Sequence, residues 1–185
     1  MGERPGKASI LRAAVRVMGT KGYEGASMRD MAAGAGVSVA ALYYHFPSKR
    51  ELLLEFLDEA WTVMLNRVER RLADADPAPL AQLDEVVSTL IASYLHDEFA
   101  QLASNVALSE YSRLDPEDRA IVTVHRERLL QRVGGIIEQG VASGVFATDE
   151  PREAARAVIQ LCSSLVEPFP EMGLSMHAVI ALYQR

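Results

Sequence analysis

The sequence is poor in cysteine, in aromatic residues and in long apolar runs, and each shortage excludes a class of protein. The single cysteine, Cys162, cannot form an internal disulfide or supply the several thiolates of a zinc or iron–sulfur site. No run of about 18 apolar residues exists, so no membrane-spanning helix is predicted. The first residues also lack the apolar run of a signal peptide, and a lone thiol is typical of a reducing compartment. We therefore expect a cytoplasmic protein.

The low aromatic content accompanies a helical pattern. Only 6% of the residues are aromatic, whereas 49% are hydrophobic, with alanine and leucine abundant, and this composition favours helices. Apolar residues recur with a helical period along the chain, as at Ile10, Leu11, Ala14 and Met18. The sequence therefore predicts an all-α fold of about nine helices.

The predicted helices fall into two groups. Three short helices come first, and about six longer ones follow, of which the first runs from Ser48 to Ala75 without an internal proline or glycine. We expect residues 1–51 to form an N-terminal helical domain and residues 52–185 to form a C-terminal helical domain. The fourth helix begins at Ser48 and links the two.

Charge is distributed unequally between these two parts. Residues 1–50 contain eight lysines and arginines against three acidic residues, a balance of +5, which leaves −11 for the rest of a chain whose net charge is −6. A basic head on an acidic body is typical of a nucleic-acid-binding module joined to a domain that does not bind nucleic acid. Charge alone leaves chance clustering as an equal alternative.

The second and third helices have the spacing of a helix-turn-helix. Ser27 is placed to cap the second helix with Asp30 as its capping-box partner, and Ser38 is placed to cap the third. The connection AGAGVS supplies the glycines of a tight turn. Two short helices joined in this way present the second one to the major groove of DNA.

The third helix, called the reading helix below, has two distinct faces. Leu42 and Phe46 are one turn apart and are predicted to be buried. The residues left on the outward side are apolar or phenolic: Val39, Ala40, Tyr43 and Tyr44.

Two cations, Lys49 and Arg50, begin the fourth helix. Cations at a helix N-terminus oppose the helix dipole, whereas the free backbone N–H groups there favour an anion. A DNA phosphate would satisfy both the N–H groups and Lys49. The alternative is that both side chains are simply solvated. Next to a helix-turn-helix, we favour the phosphate.

The segment ASMRDMAAGAGVSVAALYYHFPSKRELL, residues 26–53, resembles the helix-turn-helix of the TetR (AcrR-like) transcriptional regulators. The matching residues are Ser27, Ala32, Gly36, Val37, Ser38, Leu42, Tyr43, His45, Phe46, Ser48, Lys49 and Leu52. The resemblance implies a homodimer whose basic heads bind double-stranded operator DNA and whose bodies hold a small ligand. It also implies phosphate contacts at Ser27, Tyr43, His45 and Lys49, and base contacts at Arg29, Val39, Ala40 and Tyr44, with Ser38 in the same DNA-binding set.

The reading helix departs from the family in one respect. Family members often have a polar residue where this chain has Val39, Ala40 and Ala41, which offer only methyl groups. Direct readout of bases would then depend on Arg29 with guanine, on contacts with thymine methyl groups, and on Tyr44.

The predicted body carries bulky residues on helical stripes, which either form a plain core or line a ligand cavity. Plain core is the commoner outcome, and the family resemblance favours a cavity. His125 and Glu110 lie on apolar stripes, either as satisfied core residues or as groups that orient the polar end of a ligand. The cavity candidates are Trp61, Met64, Leu65, Tyr94, Phe99, Gln101, Leu102, Asn105, Val106, Glu110, His125 and Leu129.

The C-terminal portion, which includes HDE at 96–98 and SEYSRLDPED at 109–118, resembles a branch of TetR regulators of fatty-acid and sterol breakdown. That resemblance implies an acyl-CoA or other lipid-like effector.

The eighth predicted helix is apolar on much of its surface, so it needs two packing partners. A second subunit would supply one of them, and burial within a single chain is the alternative. The resemblance places the dimer interface on the last two helices. The candidate residues are Ala154, Ala155, Val158, Leu161, Cys162 and Leu165.

Together these features favour a ligand-responsive dimeric transcriptional repressor that a small hydrophobic or acyl-CoA-like effector releases from operator DNA. An activator of the same fold and a helical interaction module without DNA binding are the alternatives. No enzyme, cofactor or metal site is predicted, because the sequence has no glycine-rich phosphate loop, no HExxH motif and no paired metal ligands.

Alanine substitutions at Arg29 and Lys49 are expected to separate base readout from phosphate contact. Arg29→Ala should relax sequence preference, with a loss of about 1–3 kcal/mol on the preferred base pair. Lys49→Ala should weaken binding to every sequence by a similar factor. Binding constants across a set of operator variants measure both effects, and equal losses on every operator for Arg29→Ala would contradict its assignment to a base.

Overall fold

A computed structural model of the chain describes residues 6–102 and 114–164, and over these residues it contains only helices and the segments that connect them. The predicted all-α fold is confirmed. Within the described ranges, no helix combines the length and the apolar character needed to cross a lipid bilayer. The helices are α1 (Lys7–Gly25), α2 (Met28–Gly34), α3 (Val39–His45), α4 (Lys49–Asp74), α5 (Pro79–His96), α6 (described at residues 98–102), α7 (Pro116–Ala142) and α8 (Pro151–Ser164).

These elements agree closely with the helices expected from the sequence. Most of the predicted sixth helix and all of the predicted last helix, from Ser175 onward, lie outside the described residues. α1 is interrupted at Gly22, which has a φ of 74°. At the end of α1 the amide of Ala26 donates to the Gly22 carbonyl at 3.1 Å.

Local hydrogen bonds set both ends of α2. At its start the Asp30 amide donates to the Ser27 hydroxyl (3.1 Å) and the Ser27 amide donates to the Asp30 carboxylate (2.9 Å), which is the predicted capping box. At its end Gly36 has a φ of 66°, and the Val37 amide donates to the Ala32 carbonyl at 3.0 Å. Glycine takes this φ without a Cβ penalty, so Gly36 makes the tight turn into α3.

Serine hydroxyls cap the N-termini of the next two helices, α3 and α4, as predicted. The Ser38 hydroxyl accepts from the Ala41 amide at 3.1 Å and caps α3. The Ser48 hydroxyl accepts from the Glu51 amide, also at 3.1 Å, and caps α4. Because α3 ends at His45 and α4 begins at Lys49, only residues 46–48 connect the reading helix to the helix that follows it.

The described chain divides into two compact units. The first comprises residues 6–61, 102 and 114–122, and the second comprises residues 62–101 and 123–164. Both α4 and α7 contribute residues to each unit.

The core of the first unit lies under the helix-turn-helix. α1 packs on α2, and α2 packs on α3. The side chains that fill this core are almost completely excluded from solvent: Leu11, Met31, Leu42, Phe46 and Phe56 are each exposed by 1% or less. Truncating one such side chain to alanine costs about 2–5 kcal/mol, so this packing fixes the orientation of the reading helix.

In the second unit α5 packs against α8, and Leu90, Leu129 and Ile136 are completely buried. Cys162 of α8 belongs to this core, and burial raises the pKa of its thiol to about 11. The thiol is therefore protonated and unreactive at neutral pH. Burial likewise raises the pKa of Tyr94 on α5 to about 12.

Arg67 connects α4 to α5 and to the start of α6 within the second unit. Its guanidinium donates to the buried Ser93 hydroxyl at 2.8 Å and to Asp97 at 2.9 Å. Asp97 also accepts from the amides of Phe99 and Ala100 at 3.0 and 3.2 Å, which caps α6. Burial favours a higher pKa for Asp97, but the hydrogen bonds from Arg67 and the two amides outweigh it and hold the pKa below its usual range.

α7 ends at Ala142, and Gly144 makes the turn that follows it. Gly144 has a φ of 74°, and the Val145 amide donates to the Gly140 carbonyl at 2.8 Å. The Phe146 ring lies where a Cβ on Gly140 would be, so the chain packs back closely on the end of the helix.

Alanine substitutions at two glycines of this region are expected to have opposite effects. Gly144→Ala should lower the free energy of unfolding by about 1–2 kcal/mol, because a Cβ is strained at a positive φ even though no atom of the described residues lies within 4 Å of it. Gly135→Ala is the matched control, since its Cβ likewise has no neighbour within 4 Å among the described residues but its backbone is helical; it should raise stability by about 0.5–1 kcal/mol. Urea unfolding measures both, and shifts of the same sign would contradict this account.

Candidate nucleic-acid interface and effector site

The reading helix α3 separates buried from exposed side chains as the sequence predicts. Leu42 and Phe46 are 0% and 1% exposed, whereas Tyr44 is 84% exposed and Tyr43 is 48% exposed. Val39 is also exposed, at 36%. An aromatic side chain as exposed as Tyr44 has little packing in the isolated chain, so this face is suited to a partner.

His45 lies between the exposed and buried parts of α3. Its ring meets the Tyr44 ring edge-on, with centroids 5.2 Å apart, and the Phe46 ring at 6.3 Å. The half-buried imidazole is therefore held in place by an exposed ring on one side and a core ring on the other. This arrangement orients His45 before any partner binds.

At the start of α2 the predicted phosphate contact Ser27 already has a partner. The Ser27 hydroxyl donates to Asp30, which also accepts from the Lys21 ammonium. The Lys21 hydrogen bond, together with those from Ser27, holds the pKa of Asp30 well below its usual range. Arg29 lies on the exposed side of the same helix, where its guanidinium is accessible to a base.

Lys49 is also a predicted phosphate contact, and its side chain packs onto the end of α1. Its ammonium donates to the Glu24 carbonyl at 3.3 Å and lies 4.3 Å from the centre of the Tyr23 ring. Neither neighbour carries a negative charge, so the positive charge of Lys49 is positioned but not neutralised.

Arg50 has a partner that the sequence did not reveal. Its Nε and Nη2 donate to the two carboxylate oxygens of Asp118, each at 2.6 Å. The Asp118 side chain is 6% exposed and the Arg50 side chain is 50% exposed. The residues are 68 positions apart, and the acidic first turn of α7 was the one sequence feature that could have indicated Asp118.

The predicted cavity residues divide between the two units. In the second unit Met64, Tyr94, His125 and Leu129 are buried, and Leu65, Phe99 and Gln101 are half-buried; Trp61 and Leu102 are half-buried in the first unit. Asn105, Val106 and Glu110 lie outside the described residues.

Two further features of the second unit were missed by sequence reasoning. Thr89 of α5 is 4% exposed, and its hydroxyl oxygen has no hydrogen-bond partner among the residues that the structure describes. A buried hydroxyl of this kind favours a polar ligand group.

The second feature is an open groove of about 460 Å³ on α4. It is lined by Val63, Asn66, Glu69 and Arg70, and none of these residues belongs to the predicted cavity.

The predicted dimer residues lie on different sides of α8. Ala155 and Cys162 are buried within the chain, at 0% and 3% exposure. Ala154 and Val158 are half-buried, and Leu161 is 50% exposed. Leu165 lies outside the described residues.

Two family models match the sequence over both parts of the chain. Residues 10–56 match bacterial regulatory proteins of the tetR family, and residues 76–184 match the tetracyclin repressor-like C-terminal domain. This chain belongs to the TetR family. The family predicted from the residues of the helix-turn-helix is therefore confirmed.

Three known proteins match most of the chain. The HTH-type transcriptional repressor AcnR of Corynebacterium efficiens is 27% identical over 161 residues, which cover 86% of this chain and 79% of AcnR. The structure of AibR in complex with isovaleryl coenzyme A and operator DNA superposes with a TM-score of 0.86 at 22% identity, over 98% of this chain and 96% of that one. Bacillus subtilis FadR in complex with stearoyl-CoA gives 0.78 at 20% identity, over 96% and 93%. At these identities the structural likeness shows the fold.

Proposed function

We propose that this chain is a ligand-responsive transcriptional repressor that binds operator DNA through its helix-turn-helix. The observation that carries the proposal is the exposed face of α3. Tyr44 and Tyr43 project from a helix whose opposite face, at Leu42 and Phe46, is completely buried, so a rigid core presents a solvent-exposed aromatic surface. The basic balance of residues 1–50 supports a polyanionic partner.

Base recognition would depend mainly on Arg29 and Tyr44. Arg29 is exposed on α2 and can donate two hydrogen bonds to guanine, and the Tyr44 hydroxyl adds one polar group on α3. Val39 and Ala40 present methyl groups, which suit thymine. Ser27, Ser38, Tyr43, His45 and Lys49 complete the proposed set with contacts near the phosphates.

We propose an acyl-CoA thioester or a similar lipid-like molecule as the effector, held in the second unit. AibR and FadR, which share the fold, are bound to isovaleryl coenzyme A and to stearoyl-CoA. The buried Met64 and Leu129 would contact an acyl chain. Thr89 and His125 are buried polar groups that would orient a thioester or another polar end.

The dimer is proposed to form along one side of α8. Ala154, Val158 and Leu161 are spaced four and three residues apart, and Leu165 continues the series, which is the spacing of an apolar seam between two helices. Ala155 and Cys162 are on the inward side and support this seam from within the chain.

The remaining parts of the proposal follow from the family. We propose residues 1–51 as the DNA-binding domain and residues 52–185 as the ligand-binding and dimerisation domain. The protein would act in the cytoplasm by binding and not by catalysis, as its relatives are transcriptional regulators. Activation of transcription is the second candidate output.

A glutamate at position 161 is expected to prevent dimer formation. Leu161→Glu would place a carboxylate in the apolar seam, whereas Val145→Glu changes a residue with the same 50% exposure outside α8. Sedimentation at micromolar concentration should give a dimer for the wild type and Val145→Glu, and a monomer for Leu161→Glu. A monomeric wild type, or a dimeric Leu161→Glu, would refute the proposed interface.

Selection from a random-sequence duplex library tests DNA binding directly. The wild-type protein should enrich a two-fold symmetric sequence whose half-sites lie about one helical turn apart, and its affinity should fall steeply with salt. Tyr44→Ala should lose most of this affinity while its unfolding free energy changes by less than about 0.5 kcal/mol, because the side chain is exposed. Recovery of no sequence would favour an interaction module without DNA binding.

The effector is tested on the selected duplex. Isovaleryl-CoA and stearoyl-CoA, but not free coenzyme A, should release the protein from DNA, and Thr89→Val should weaken that response without changing affinity in the absence of effector. Transcription from a promoter that carries the selected sequence distinguishes repression from activation.

A further inference from the structure

Two adjacent cations at the start of α4, Lys49 and Arg50, each contact a different helix. Lys49 contacts the end of α1 through the Glu24 carbonyl and the Tyr23 ring, at 3.3 and 4.3 Å. Arg50, the next residue, forms the two-bond ion pair with Asp118 at the start of α7. The first turn of α4 is therefore held by contacts to two other helices of the first unit.

Both carboxylate oxygens of Asp118 accept hydrogen bonds from Arg50. Its side chain is 6% exposed, and a carboxylate so far from water requires a charged partner in good geometry. The hydrogen bonds that Arg50 donates to Asp118, and then the negative charges of Asp118, Asp115 and Glu117, raise the pKa of Arg50. If Arg50 moved to a DNA phosphate, Asp118 would be left buried without its counter-ion. The Nε and Nη2 donors of Arg50 are therefore held by Asp118 and are not available to a phosphate.

The orientation of this turn determines where the DNA-binding side chains point. Residues 46–48 are the whole connection between α3 and α4, and Phe46 in that connection is buried. Its ring is also covered by the Lys7 ammonium, 5.3 Å from the ring centre. A connection this short and this firmly packed transmits a rotation of the first turn of α4 to Tyr43 and Tyr44.

We propose that Arg50 and Asp118 are positioning residues for DNA binding, whose ion pair fixes the first turn of α4 so that Lys49 and the exposed face of α3 meet the duplex together. Neither residue touches DNA. This inference rests on the proposed function, because operator binding is what the pair supports.

The salt dependence of DNA binding distinguishes a positioning residue from a phosphate contact. Asp118→Asn should lower affinity for the selected duplex roughly tenfold while the slope of log K against log salt concentration is unchanged. Lys49→Ala, which removes a phosphate contact, should reduce the magnitude of that slope by about one. Exchange of the two charges, in Arg50→Asp with Asp118→Arg, should restore most of the affinity that Asp118→Asn loses.

A matched control and a fold-preserving variant complete the test. Arg132 and Glu69 of the second unit also pair α7 with α4, at 3.3 Å, but the Glu69 carboxylate is 55% exposed where that of Asp118 is 6% exposed, so Glu69→Gln should leave affinity and slope unchanged. If the single substitutions unfold the protein, Arg50→Met with Asp118→Leu replaces both partners by apolar side chains, which buried ion pairs generally tolerate. This double variant should fold, as thermal melting will show, and should bind DNA weakly.

Three results would overturn the inference. Higher affinity and a steeper salt slope for Asp118→Asn would mean that Asp118 masks a DNA-binding Arg50. Unchanged affinity for Asp118→Asn, or wild-type binding by the folded double variant, would mean that the pair only supports the fold. A wild-type protein that selects no duplex would instead reject the proposed function.

Discussion

The DNA-binding surface depends on the first turn of α4. Ser48 caps this turn, Lys49 packs back onto Tyr23, and Arg50 is bound by both oxygens of Asp118. The reading helix has only seven residues, too few to be stable as an isolated helix. Its position comes from the buried packing of Leu42 and from the turns on either side of it, the Gly36 turn before it and the first turn of α4 after it.

The two faces of α3 have different roles: the buried face stabilises the fold, and the exposed face is available for recognition. Leu42 and Phe46 are buried, so substitutions there affect the fold, whereas Val39 and Tyr44 are exposed and can vary without a cost in stability. The exposed face has few polar groups. A helix that presents methyl groups discriminates thymine weakly, so sequence preference would depend on Arg29 and on the shape of the DNA as much as on α3 itself.

The features that the sequence predicted are those that short-range contacts determine. The Ser27, Ser38 and Ser48 caps join residues three apart, and the Gly36 turn joins residues five apart. Apolar periodicity likewise identified the buried face of α3. The Arg50–Asp118 pair joins residues 68 positions apart, and no local pattern distinguishes Asp118 from its acidic neighbours. The buried Thr89 hydroxyl was missed because threonine on a helix gives no signal of what it faces.

The long-range ion pairs also change the interpretation of the positive net charge of residues 1–50. The balance of +5 counts Lys7, Arg12 and Arg50, yet their carboxylate partners Glu55, Glu59 and Asp118 all lie beyond residue 50. Lys21 is likewise paired with Asp30. Lys49 instead contacts the Glu24 carbonyl and the Tyr23 ring, neither of which carries a negative charge. The balance of +5 is therefore reduced by partners in the rest of the chain, and the position of a cation such as Lys49 beside the reading helix matters more for binding than the total charge.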